Sequence, residues 1–115
     1  MEKLYMIYVP VSSKKEAERI AEGVISKRLA ACANIIENIG SVYWWEGTIK
    51  KDKETLLIFK TKGSLLDRAE KEIKKLHSYE CPCIACLPID RVNEEYAEWV
   101  EKSVQGSGDR GRKKV

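Results

Sequence analysis

The residue types best suited to bind a metal ion or transfer a proton are concentrated in one stretch, residues 77–84, which reads HSYECPCI. It holds His77, the only histidine of the chain, together with Glu80, Cys81 and Cys83. Thiolates and a neutral imidazole suit Cu(I) and Zn(II), whereas Mg²⁺ and Ca²⁺ need rings of oxygen ligands that this stretch lacks. The pattern predicts a copper or zinc site with these four residues as candidate ligands, Glu80 acting either directly or through a neighbouring ligand.

Each of these residues also has a structural interpretation. Cysteine is among the most buried residue types, and a histidine at a helix end can cap the helix. Strand alternation places Cys86 on the side opposite Cys81 and Cys83 unless the chain bends at Pro82. The spacing is not that of a zinc ribbon. A complete site within one chain is therefore the less favoured interpretation, and water or a neighbouring chain would have to supply ligands.

Composition and charge describe an ordinary globular chain. Of 115 residues, 43% are hydrophobic and 34% are charged, which fits one domain with a sizeable core. Residues 106–115 hold four of the 21 basic residues and one of the 18 acidic residues, which leaves 17 of each in residues 1–105. We expect a single domain over 1–105, a flexible basic tail over 106–115, and no overall electrostatic preference for nucleic acid.

The beginning of the chain shows no targeting pattern. The apolar run at residues 4–9 is short and is followed by Pro10, which is too short for a membrane span or the core of a signal peptide. We expect a cytoplasmic protein with reduced thiols and no membrane partner.

Hydrophobic periodicity predicts alternating strands and helices. Ser13 and Glu16 form a capping box that opens the first helix, and Ser64 is predicted to cap the second. The predicted elements are a strand at 4–9, a helix from 13 to about 30, a long strand at 32–45 bent at Gly40, a lysine-rich turn at 47–53, a strand at 54–62, a helix ending near His77, a strand at 83–89 and a helix at 93–104.

This order, β-α-β-β-α-β plus a terminal helix, predicts an α+β ferredoxin-like fold. Both main helices would cover one face of an antiparallel sheet, with Cys32 packed beneath the first helix. RNA-recognition modules share the topology, but their third strand carries stacking aromatics after a basic-glycine start. The strand at 54–60 has one aromatic residue and no such start, which argues against RNA binding.

Four ordered motifs resemble those of the CutA family of divalent-ion tolerance proteins. They are ACAN at 31–34, SVYWWEG at 41–47, the strand from Glu54 to Thr61, and HSYECP at 77–82. The resemblance spans about residues 4–104 and implies a homotrimer linked to copper and other divalent ions, with no established reaction and no obligatory cofactor.

Two positions depart from the family pattern. The family usually has proline after the histidine, where this chain has Ser78, and a second glutamate where it has Cys83. If the family's acidic position contributes to a metal site, the thiol shifts the preference toward Cu(I), Zn(II) or Cd(II).

The resemblance also suggests a ligand pocket at the junctions between protomers. Trp44 and Trp45 point to opposite faces of a strand, so one is expected to cover the core while the other supports trimer formation, unless Trp99 covers it. Glu80 can instead form an ion pair with Lys60. The residues expected to line the pocket are Cys32, Tyr43, Trp45, Lys60, His77, Tyr79 and Glu80.

Two other functions fit the same architecture. The overall shape implied by the family is similar to that of P-II signalling trimers. The alternative is therefore a signalling or adaptor trimer that senses a small anionic or aromatic ligand and passes its state to a partner protein. Acylphosphatases share the fold, but the chain lacks a phosphate-cradling loop with an arginine, and we expect no enzymatic activity.

Overall fold

The structure, a computed structural model, describes residues 1–106, and the predicted tail lies almost entirely outside the described residues. The described elements follow the predicted order. They are β1 (Leu4–Val11), α1 (Lys14–Ser26), β2 (Cys32–Trp45), β3 (Thr48–Lys62), a 3₁₀ turn (Gly63–Leu65), α2 (Leu66–Leu76), β4 (Ala85–Ile89) and α3 (Glu94–Ser103).

The four strands form one antiparallel sheet in the order β2-β3-β1-β4, which confirms the ferredoxin-like prediction. Alternate residues of β3 from Thr55 to Thr61 are buried, as period-two alternation requires. They share a core with the apolar stripe of α1, including Ile20 and Val24, and with Ile73 of α2. No helix within residues 1–106 is long and apolar enough to cross a membrane.

The β2–β3 hairpin extends well past the body of the sheet. β1 ends at Val11 opposite Thr55, so residues 39–54 of the hairpin pair only with each other. We call this segment the arm. The predicted turn at 47–53 was wrong, because Lys50 and Lys51 pair in the ladder with Tyr43 and Val42. The arm tolerates these charged side chains because both of its faces are exposed.

The turn of the arm has two residues, Glu46 and Gly47, with φ of 50° and 82°. Positive φ at both positions matches the tight hairpin turns that follow the twist of the strands. The irregularity of the hairpin lies between Ile36 and Ile39, where Asn38 has φ of 62°, and not at the predicted Gly40. Asparagine tolerates this left-handed conformation because its short polar side chain can bond locally.

The capping predictions were half right. The hydroxyl of Ser13 accepts from the backbone N–H of Glu16 at 3.1 Å, but the Glu16 carboxylate reaches back to Ser12 instead of Ser13. α1 ends at Ser26, earlier than predicted, because Arg28 adopts a left-handed φ of 59°.

At the second helix, Ser64 does not cap α2. A 3₁₀ turn precedes the helix, and the N–H and hydroxyl of Ser64 both donate to the Glu2 carboxylate at 2.9 Å. The N-terminal segment is thereby attached to the start of α2.

Candidate functional site

His77 lies at the end of α2 with its side chain fully buried. Its Nδ1 accepts from the backbone N–H of Tyr79 at 3.1 Å, and its Nε2 lies 2.9 Å from the carbonyl oxygen of Pro10. Because a carbonyl can only accept, Nε2 donates to Pro10 while Nδ1 accepts from Tyr79. A metal ion at either nitrogen would have to displace one of these hydrogen bonds, so the metal role of His77 stays a prediction.

Glu16 of α1 holds the segment that follows His77. One carboxylate oxygen accepts from the N–H of Ser12 at 3.0 Å, and the other accepts from the N–H of Ser78 at 2.7 Å. Burial by itself would raise the pKa of Glu16, but the hydrogen bonds from Ser12 and Ser78 outweigh burial and lower it to about 2. Glu16 is therefore a permanent anion at neutral pH.

The next residue, Tyr79, joins this segment to the arm. Its ring lies 4.7 Å from that of His77, and its hydroxyl donates to Glu54 of β3 at 2.7 Å. Burial and the carboxylate of Glu54 raise the pKa of Tyr79, so the phenol remains a donor. Tyr43 of the arm donates to Asp52, and that bond, burial and the charges of Asp52 and Glu54 also raise its pKa. Two predicted pocket tyrosines thus border the same acidic strand segment.

Cys81 and Cys83 are free, exposed thiols in the segment between α2 and β4. β4 begins at Ala85, two residues later than predicted, so these cysteines precede the strand.

Cys86, within β4, pairs with the core residue Ile7. Burial raises the pKa of Cys86, and the acidic Glu70 and Asp67 raise it further.

No group of three or more His, Cys, Asp or Glu side chains within residues 1–106 has the geometry to hold a metal ion. Glu80 is exposed beside the thiols. Its proposed partner Lys60 bonds Asn34 Oδ1 instead, at 2.9 Å. A metal site at this segment would therefore need further ligands from water or a neighbouring chain, as the sequence already indicated.

Cys32 and Lys60 form a second cluster, away from the helices α1 and α2. They are direct partners across β2 and β3. Cys32 Sγ lies 3.2 Å from the hydroxyl of Tyr96 and 3.8 Å from Lys60 Nζ. The expectation that Cys32 packs beneath the first helix was wrong: it shares the face of Lys60, while the neighbouring pair Ala33 and Phe59 faces the core.

The remaining predicted pocket residue, Trp45, lies at the tip of the arm. Trp45 is 41% exposed and Trp44 is 71% exposed, so neither covers the core of this chain. The prediction failed because, within residues 1–106, no third strand pairs with the arm. Trp99 does not cover them either, since its ring contacts Tyr96, 5.5 Å away, and is itself exposed.

Within one chain, the predicted pocket residues thus occupy three places: the segment after α2, the Cys32 cluster and the arm. Sequence reasoning missed the partners that organise them. Glu16 was recognised only as a cap, and Tyr96 was only one of the residues in the helix predicted at 93–104. Asn34 belongs to the ACAN motif, but the motif gave it no role. Asp52 lay in the stretch predicted as a turn. The missed partners are Glu16, Asn34, Asp52, Glu54 and Tyr96.

Comparison with known proteins places this geometry in a family. A family model described as CutA1 divalent ion tolerance protein matches residues 5–103. The chain is 45% identical over 102 residues to "Protein CutA 1, chloroplastic" of Oryza sativa, covering 89% of this chain and 58% of that protein. It is 41% identical over 99 residues to the "Divalent-cation tolerance protein CutA" of Archaeoglobus fulgidus, covering 86% of this chain and 96% of that protein.

Solved structures agree. The crystal structure of CutA1 from Oryza sativa matches with a TM-score of 0.86 and 44% identity, over 89% of this chain and 94% of that one. The "Periplasmic divalent cation tolerance protein CutA" of Archaeoglobus fulgidus matches with a TM-score of 0.86 and 40% identity, over 89% and 99% of the two chains. These relatives carry chloroplastic and periplasmic names, so a cytoplasmic location for this chain stays a prediction. Together, the matched fold and the matched residues show that the chain belongs to the CutA1 divalent ion tolerance family.

Proposed function

We propose that this chain acts in divalent-ion tolerance as a homotrimer that binds a soft metal ion through Cys81 and Cys83. The observation that carries the proposal is the pair of free, exposed thiols separated by one residue, just before the edge strand β4. Relatives named for divalent-cation tolerance support the general role. The identity of the metal is our inference from the ligands of this chain.

The ligand types favour copper or zinc. Two thiolates match Cu(I) or Zn(II), whereas Mg²⁺ and Ca²⁺ prefer several oxygens. Glu80 is exposed next to Cys81 and offers an oxygen, either to the metal or to a ligand beside it. His77 Nδ1 becomes available only if the N–H of Tyr79 releases it. One chain therefore supplies two thiolates to the metal ion, and water or a neighbouring protomer would fill the remaining coordination positions.

The arm supports assembly. Trp44, Val42 and Ile49 are 71%, 68% and 56% exposed, and Val42 and Trp44 alternate along β2 so that they lie on the same face of the arm. Within residues 1–106 the sheet also ends in two edge strands, β2 and β4. Exposed strand edges are normally paired, covered or blunted, and large exposed apolar surfaces mark contacts with other proteins. We infer that the arm packs on a neighbouring protomer.

The test is a competitive titration of the purified protein with Cu(I) and with Zn(II). The variant Cys81→Ser/Cys83→Ser should lose most of the affinity, while Cys86→Ser should keep it, because Cys86 is held in the strand with a raised pKa. Binding should weaken as pH falls, since protons compete for the thiolates. Full affinity in the double variant would refute the proposed site, and loss of binding in Cys86→Ser would move it to β4.

A further inference from the structure

The second cluster of the molecule, around Cys32, places a lysine and a tyrosine hydroxyl against one thiol. Lys60 Nζ lies 3.8 Å from Cys32 Sγ and is held in place by its bond of 2.9 Å to Asn34. Tyr96 of α3 places its hydroxyl 3.2 Å from the same sulfur. Lys60 also lies 5.8 Å from the centre of the Tyr96 ring, so the three side chains contact one another. Cys32 itself is partly exposed.

The roles of the two neighbours differ. An ammonium group close to sulfur favours the thiolate by direct charge attraction. Burial and the bond to Cys32 raise the pKa of Tyr96 to about 12, so the phenol keeps its proton and can donate it to the sulfur once the sulfur is a thiolate. Reactive cysteines occur in partly exposed, electropositive surroundings of this type.

Cys86 provides an internal contrast. Burial, together with the charges of Glu70 and Asp67, raises the pKa of Cys86 and so opposes formation of the thiolate. The chain thus contains one partly exposed thiol in contact with a cation and another whose pKa is raised by burial and by acidic charges. The two should differ in reactivity even though Cys86 is the more exposed of the two.

We propose that Cys32 is a modification site at which a hydroperoxide oxidises the thiol to a sulfenic acid. The thiol first gives its proton to water. The thiolate then attacks the nearer peroxide oxygen, the S–O bond forms as the O–O bond breaks, and the sulfur is oxidised while the peroxide is reduced. With hydrogen peroxide the departing hydroxide takes up a proton and leaves as water. Lys60 and the Tyr96 hydroxyl stabilise the charge on sulfur and on the departing oxygen.

The inference concerns a cluster separate from the metal-binding segment and is tested without it. The folded Cys81→Ser/Cys83→Ser variant is treated with hydrogen peroxide in the presence of a metal chelator and a dimedone-type reagent, which traps sulfenic acid. Trypsin separates the two remaining thiols, because Arg28 and Lys50 flank Cys32 while Lys75 and Arg91 flank Cys86. Mass spectrometry then gives the labelling rate of each peptide. We expect Cys32 to label several-fold faster than Cys86.

Variants of Lys60 and Tyr96 test whether these two side chains cause the faster labelling of Cys32. Lys60→Met, which removes the charge, should slow labelling of Cys32 about fivefold, and Tyr96→Phe should also slow it. Lys60→Arg keeps the charge and should retain most of the rate. Lys62→Met is the matched control, two residues along the same strand, where the lysine bonds Glu2 and Glu101 instead. Equal labelling of Cys32 and Cys86, or a Cys32 rate unchanged by Lys60→Met, would overturn the proposal.

Discussion

The carboxylate of Glu16 accepts a hydrogen bond of 2.7 Å from the backbone N–H of Ser78, a residue 62 positions further along the chain. The same carboxylate accepts from Ser12, at the start of α1. One buried anion therefore caps a helix and fixes the segment that leads to the exposed thiols. The position of Cys81 and Cys83 depends on a residue that the sequence presents only as a helix cap.

Replacing Glu16 with Gln should destabilise the protein by about 2–3 kcal/mol at neutral pH. The amide retains one acceptor oxygen but places an NH₂ group against a backbone N–H that needs an acceptor. Chemical denaturation at fixed protein concentration measures the loss. Glu18→Gln is the matched control, because Glu18 lies on the same helix with its side chain 52% exposed. An equal, small effect of both changes would contradict the anchoring role of Glu16.

Protonation of the same carboxylate should lower the stability of the folded protein in acid. Its pKa falls from 4.5 to about 2 on folding, so its contribution is complete above pH 4.5 and is lost as the pH falls toward 2. The contribution is at most about 3 kcal/mol. Stability curves measured between these pH values should be steeper for the natural chain than for Glu16→Gln, and parallel curves would show that another group controls acid unfolding.

The bond between Tyr79 and Glu54 should contribute about 1 kcal/mol of stability. Tyr79→Phe removes only the hydroxyl, leaving the contact with the His77 ring. Tyr43→Phe breaks a bond of the same type, to Asp52, but on the exposed arm. Thermal denaturation should show a loss for Tyr79→Phe, with Tyr43→Phe as the comparison on the arm, and an unchanged stability of Tyr79→Phe would contradict the contribution of this bond.

The order and type of the elements were predictable from hydrophobic periodicity because each strand and helix has a clear apolar pattern. The residue that pairs with Cys32 across β2 and β3 was not predictable from the sequence. If the register were regular from the turn pair Trp45 and Thr48 back along the hairpin, Cys32 would pair with Thr61, whose side chain faces the core. The irregularity between Ile36 and Ile39 shifts the register by one residue, which reverses the face of every side chain beyond it.

The candidate site was predictable in its residue types but not in its contacts. The cluster of thiols after α2 is visible in the sequence. The hydrogen bonds of His77 are not, because its Nε2 donates to the carbonyl of the distant Pro10 and its Nδ1 accepts from the backbone N–H of Tyr79, two residues away. Both involve backbone atoms, which leave no trace in residue identity. For the same reason the link from Glu16 to Ser78 had no sequence signal.

The turn of the arm should respond in opposite directions to two substitutions. Gly47→Ala places a side chain at φ of 82° and should cost about 1 kcal/mol. Glu46→Asn keeps a side chain at φ of 50° but replaces it with one that favours this conformation, and should stabilise by up to about 1 kcal/mol. Thermal denaturation measures both, and two changes of the same sign would show that the conformation of this turn differs from the one described.

The arm should also decide assembly. We expect a homotrimer, measured by light scattering coupled to size exclusion, and we expect Trp44→Lys to weaken it. Trp44 is 71% exposed and lies where only β2 and β3 pair, so its loss removes little from the core of the chain itself. A charged side chain in an apolar contact between protomers would instead be desolvated without a partner.

Trp99→Lys is the control for this experiment, since Trp99 is an exposed tryptophan on α3 that contacts Tyr96 and not the arm. If the arm forms the interface, only Trp44→Lys should shift the distribution toward smaller species, and the shift should grow on dilution because association depends on protomer concentration. A natural chain that is monomeric at micromolar concentration would refute the trimer. A trimer that tolerates Trp44→Lys but dissociates with Trp99→Lys would place the interface on α3, and the exposure of the arm would then need a different partner.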